Sequence, residues 1–176
     1  MPAYHSDYNH ESHPLIGSIP LLPLTSRIRG IAPPHPDPNA DDIIEESLKF
    51  FRANSLFRNY QFEGPADYLL VYLTMFISDC LARVGSKNWS QGEASKQLLT
   101  VAVDNFALPG DAGFPMNHMY APPGNKMEAD QLRQYLLQAR QELVTRFIPR
   151  VYCDGPEKPS KWWLSFQKRL FMGKKL

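Results

Sequence analysis

The sequence is poor in the features that announce chemistry. It has two cysteines, Cys80 and Cys153, far apart and in no CxxC pair. A disulfide framework and a zinc ribbon are therefore unsupported, and a reducing, cytosolic setting is the simplest expectation. Charge of one sign is lacking too: nineteen basic residues stand against eighteen acidic ones, a formal net charge of +1. No global field draws such a chain to nucleic acid or anionic lipid. No GxSxG elbow, HExxH pair or GxxxxGK[ST] loop occurs. "PGDAGFP" has glycines beside an aspartate but no Lys-Ser/Thr after them, and is turn chemistry. The N-terminal stretch lacks the apolar run of a signal peptide. The greasiest segment, "YLLVYLTMFISDCLARV", is interrupted by Asp79 and Arg83, whereas a membrane span needs about 20 apolar residues with few charges. A buried central helix is expected there.

What is present is the balance of one folded domain. At 176 residues the chain can bury a real core, and 43% hydrophobic against 21% charged residues is ordinary globular composition. Half of the sixteen prolines fall in the first 38 residues. Proline lacks a backbone donor and blocks helix interiors, so "PLIGSIPLLPL" is expected to be an extended strap. Its Leu15, Ile16, Leu21, Leu22 and Leu24 should lie along another surface, the chain's own or a neighbour's. "APPHPDPNA" is expected to be a stiff polyproline-like linker. The boundaries predicted are a strap and linker over 1–40 and a helical domain over 41–176.

Asp42 with Glu45, Ser90 with Glu93, and Asn125 with Glu128 each fit a capping box. They predict helices over about 42–58, from 90 into "TVAV", and from 125 to about Pro149. Gly64-Pro65 opens the apolar helix. "DNFALPGDAGFPMNHMYAPPG" is expected to be a long ordered loop. A last helix over 160–172, capped by Ser160, completes an all-α fold of about five helices.

Two clusters invite a metal. His5, His10, His13 and His35 lie in the proline-rich region without cysteine, and solvated surface is the preferred reading. Asp41, Asp42, Glu45 and Glu46 crowd a helix start, which the helix dipole explains without an ion. The tail, "PSKWWLSFQKRLFMGKKL", carries the strongest signal. Its aromatic face and basic residues resemble an interfacial membrane helix, but it is short and lacks a lipidation motif. Nucleic acid is disfavoured because no basic groove continues the track. Protein contact, internal or with a partner, is preferred. Trp162, Phe166 and Leu170 are expected to face the chain's own helices. Trp163, rotated by about 100°, is expected at a separate pocket or a partner's rim. Lys161, Lys168, Lys174 and Lys175 should stay solvated. The partner-contact set expected from the sequence is Leu21, Leu22, Lys161, Trp162, Trp163, Phe166, Lys168 and Arg169.

Seven stretches, in order, carry a resemblance: "MPAYHS", "LIGSIPLLPL", "FFRANSLFRNYQ", "SQGE", "NFALPGDAGFPMN", "NKMEADQLRQYLLQARQE" and the terminal "KPSKWW" with the residues after it. Over almost its whole length the chain resembles the subunit 3 family of the actin-related protein 2/3 complex, the seven-subunit assembly that nucleates branched actin filaments. It departs from the family pattern in "IAPPHPDPNA" and at Pro149. The resemblance implies a mostly helical, non-enzymatic scaffold without cofactor, bound chiefly to the actin-related protein 3 subunit. It also implies contact with actin filaments through the complex, and a place in the cytoplasm and actin cytoskeleton. A peripheral membrane protein using the Trp-rich basic tail is the alternative.

Overall fold

The computed structural model describes residues 3–176. Five helices dominate: α1 (Ile43–Asn54), α2 (Pro65–Lys87), α3 (Gln91–Val103), α4 (Lys126–Val151) and the single turn α5 (Lys161–Leu164). Two-residue strands β1 (Leu15–Ile16) and β2 (Ile19–Pro20) pair antiparallel, Ile16 opposite Ile19. The fold is mainly helical, with this one small hairpin among the described residues.

The three capping boxes start their helices. Asp42, Ser90 and Asn125 each accept the backbone N–H of the residue three ahead through the side chain. Pro65 sits in the first turn of α2, where its missing donor costs nothing. By length and composition α2 could cross a membrane, but most of it is buried inside the chain's own core. It packs on α1, α4, α5 and the hairpin, which accounts for its apolar residues on nearly every side.

Helix α3 has no basic residue in its last turn. Arg140 of α4 supplies one from outside. Only 5% exposed, it donates to the carbonyls of Val101 and Ala102 and to the Tyr72 hydroxyl, at 2.9–3.2 Å. Its guanidinium lies 4.3 Å from the Phe76 ring centroid and 4.2 Å from that of Phe106. A buried cation is thus matched to a helix C-terminus and two aromatic faces.

Several expectations need correction. "PLIGSIPLLPL" folds back on itself as a hairpin because Gly17 takes φ +57°. A Cβ there would stand 2.2 Å from the Ala121 carbonyl oxygen, so glycine is required twice over. Ser18 and Ala121 exchange hydrogen bonds, joining the hairpin to the loop before α4. Ile16, Ile19, Leu22 and Leu24 enter the same core as the helices. The linker does not run straight: Pro34 bridges back to Leu24. Helix α1 stops at Asn54, four residues early, because the Asn54 side chain turns to bond both the N–H and the carbonyl of Tyr4.

Helix α4 runs through Pro149 to Val151. The proline forfeits one backbone bond close to the helix end, and Tyr152 closes the turn onto the Ile148 carbonyl. Burial of Ile148, Val151 and Tyr152 holds it. The final helix predicted over 160–172 is one turn, Lys161–Leu164, followed by turns and a 3-10 segment at Phe171–Gly173. Met172 adopts φ +50° there. Continuous helix would not deliver Phe171, fully buried, to its place beside Tyr60. Ser160 stands at the N-cap, but its side chain makes no capping bond.

Both ends of the described chain meet at Tyr60. Its hydroxyl donates to the Tyr4 carbonyl at 2.8 Å, and its N–H donates to the Met172 sulfur at 3.4 Å. Its ring packs on His5 and Phe171.

Candidate functional site

The tail surface rests on α1 and α4. Trp163 is 6% exposed, stacked on Phe51 at 6.0 Å and edge-on to Phe147 at 6.1 Å. Trp162 is 62% exposed. The division of roles is therefore the reverse of the sequence expectation: Trp163 faces inward and Trp162 outward. The reason is where the turn begins. Ser160 donates its N–H to the Val151 carbonyl and accepts from Trp163 and Leu164. That docking fixes which edge of the turn meets Phe51. Leu170, also expected inside, is 47% exposed because the chain has left the helix by then.

Trp162 does not stand alone. The Arg52 guanidinium of α1 lies 4.6 Å from its ring centroid and 5.4 Å from that of Trp163. Phe166 is half-buried against Phe51, with Arg169 over its ring at 5.7 Å. Lys161, Lys168, Arg169 and Lys175 are exposed, whereas Lys174 is half-buried. Leu56 adds exposed apolar surface at the end of α1. Of the strap residues, Leu22 is fully buried and Leu21 half-buried against the core. The structure thus gathers Lys161, Trp162, Phe166, Lys168 and Arg169 at the tail and places Leu21 and Leu22 in the strap. The tail surface thus combines one exposed indole with a rim of cationic side chains.

Sequence reasoning missed a second polar constellation. His5 directs Nδ1 to the buried Asp67 at 2.7 Å and Nε2 to Glu63 at 3.3 Å. The Ser6 N–H donates to Asp67, the Ser6 hydroxyl donates to Glu46 at 2.7 Å, and the Asp7 N–H donates to Glu46 at 2.8 Å. Burial pushes the Glu46 carboxyl up to about 7, assisted by the negative charges of Asp7 and Asp67 and opposed by these two hydrogen bonds. His5 is thus part of a latch on α1 and α2 rather than solvated surface, and His13 and His35 are half-buried, whereas His10 is exposed as expected. No spacing rule links position 5 to 67, so no local signal could have found it.

The acids at the start of α1 likewise gain partners. Asp42 receives Arg146 bidentately at 2.7 and 2.9 Å, and Arg146 also donates to Glu142, Glu45 and the Thr25 carbonyl. Asp42 accepts the Thr25 N–H, and Glu142 accepts the Ser26 hydroxyl. The cluster clasps the strap to α1 and α4. No group of three or more His, Cys, Asp or Glu side chains placed to hold a metal occurs among the described residues.

The P21-Arc family profile, described as the ARP2/3 complex ARPC3 (21 kDa) subunit, matches residues 1–176. The chain belongs to the P21-Arc family. Its similarity to individual members runs the full length. It is 48% identical over 177 residues to the actin-related protein 2/3 complex subunit 3 of Schizosaccharomyces pombe, covering all of both chains. The protein of that name from Saccharomyces cerevisiae is 45% identical over 181 residues, again covering both. That from Dictyostelium discoideum is 42% identical over 175 residues, 98% of this chain and 99% of its own.

Proposed function

We propose that the chain serves as the third subunit of an actin-related protein 2/3 complex, as a non-catalytic scaffold in the cytoplasmic actin cytoskeleton. The observation that carries this reading is the family match across all 176 residues. The actin-related protein 3 subunit is the proposed principal neighbour, with actin filaments reached through the assembled complex. Trp162 with Lys161, Lys168 and Arg169 forms the proposed docking surface. Arg52 holds the exposed indole in place, so little side-chain freedom is lost on binding. Interfaces favour Trp and Arg anchors with lysine at the rim, which suits an acidic partner surface. Leu21 is a candidate secondary contact.

Reconstitution tests the reading. The complex assembled with the wild-type chain is expected to nucleate branched filaments, and omission of the chain should lower branch yield. A Trp162→Ala, Lys161→Glu double variant should fold normally yet enter the complex poorly. Normal entry would remove the tail from the interface. Because the tail forms only a single helical turn, with Trp163 and Phe171 buried and no continuous apolar face left to insert, liposome flotation of the chain is expected to show no binding.

A further inference from the structure

Among the described methionines, Met172 alone has a sulfur that accepts a hydrogen bond. The donor is the backbone N–H of Tyr60, at 3.4 Å, and Tyr60 is buried, so its N–H depends on that partner. Met172 is half-buried, with its side chain packed against the core. Met75 and Met116 are buried, Met119 is half-buried, and Met127 is 76% exposed and stands outside the core. The segment 170–176 hangs on few contacts. Its own hydrogen bonds are local, from Gly173 to Leu170 and from Lys174 to Phe171. The Phe171 ring and the side chains of Met172 and Leu176 pack it on the body. Met172 takes φ +50°, a conformation that L side chains rarely adopt, and Gly173 follows at φ +70°.

A thioether is a weak acceptor, and it is open to oxygen-atom transfer. Hydrogen peroxide gives one oxygen to the sulfur: an S–O bond forms and the O–O bond breaks. The sulfur gives up two electrons, and the peroxide leaves as water. Sulfur carries two lone pairs, and one of them already faces Tyr60. Oxygen placed on that pair displaces the Tyr60 N–H. Oxygen placed on the other pair lies on the far side of the sulfur and draws electron density away from the accepting pair. Both sulfoxide epimers therefore weaken the contact. The product is also polar, set between Tyr60 and the core, where an unpaired dipole is costly. We propose that Met172 is a modification site for peroxide-class oxidants, and that its sulfoxide frees the segment 170–176 from Tyr60. The change is reversible, since reductases return methionine sulfoxide to the thioether. It rests on packing within the chain and is independent of the docking role proposed for Trp162.

The test treats the full-length chain with hydrogen peroxide, maps the oxidised residues by peptide mass spectrometry and follows amide hydrogen exchange by NMR. Oxidation of Met172 is expected to speed exchange of the Tyr60 amide about fivefold or more, the protection that one hydrogen bond supplies. Signals of residues 170–176 should shift with it, and the two stereospecific methionine sulfoxide reductases should restore both. Met127→Leu should respond as the parent does. Met172→Leu keeps an apolar side chain without an oxidisable sulfur and should lose the response, although Cys153 remains exposed to peroxide in both chains. A Met172 that stays reduced while Met119 and Met127 are oxidised would overturn the proposal. So would a Met172 sulfoxide with unchanged Tyr60 exchange, or an undiminished peroxide response in the Met172→Leu chain.

Discussion

Glu46 is an acid set where its ionised form is disfavoured, and the pH dependence of stability should show it. Its carboxyl is pushed up to about 7 from the ordinary carboxylate value of about 4.5. Between these values the folded chain keeps a proton that the unfolded chain has released. Raising the pH through this window therefore draws stability down. The contribution is fully present below about 4.5 and gone above about 7. Facing groups are Ser6 and Asp7 of the N-terminal segment and Asp67 of α2, and neither acid relieves the burial. Glu46→Gln removes the charge, its Oε1 still able to accept the Asp7 N–H and its Nε2 able to donate to the Ser6 hydroxyl oxygen. It is expected to flatten the melting-temperature profile between pH 5 and 8 and to stabilise the chain at pH 8 on the order of 2 kcal/mol. A parallel profile for parent and variant would show that water reaches the carboxylate.

At the scale of elements, the tail separates a local signal from a distant one. Helix starts were legible because a cap is a matter of three residues, and Asp42, Ser90 and Asn125 all perform as their spacing indicates. The buried face of α2 was legible from apolar density alone. The tail misled because its aromatic spacing fits a helix, while Phe171 is claimed by Tyr60, a residue no pattern connects to it. The same holds for the His5 latch and the Arg146 clasp, whose members lie on different elements. Trp163→Ala is expected to cost about 3–5 kcal/mol, because it empties the space between Phe51 and Phe147. Trp162→Ala should cost about 0.5–1 kcal/mol, the loss of its contact with Arg52. Denaturant titration of the two variants distinguishes them, and equal midpoints would contradict the packing described. Pro149→Ala should leave stability within about 1 kcal/mol of the parent, on the favourable side, since only the last turn of α4 regains a bond.

Across the whole molecule, Arg146 joins what the sequence presents as separate parts. It bonds α1 through Asp42, its own helix through Glu142 and the strap through Thr25. Arg146→Met leaves two largely buried carboxylates without a counter-charge and is expected to cost about 3–5 kcal/mol by calorimetry. The variant should also expose the segment around residues 25–40 to protease, whereas intact resistance would mean the strap is held by its leucines alone. Tyr60 makes a different kind of demand, one of timing. Its ring is enclosed by Phe171, which the ribosome adds roughly 110 residues later. At about 5–20 residues per second, the socket stands open for roughly 5–20 s of every round of synthesis. For that interval the nascent chain carries Tyr60 without its Phe171 cover, available to any chaperone that scans for aromatic sequence. A newly made chain that stalls before Phe171 remains marked as unfinished by the same uncovered ring.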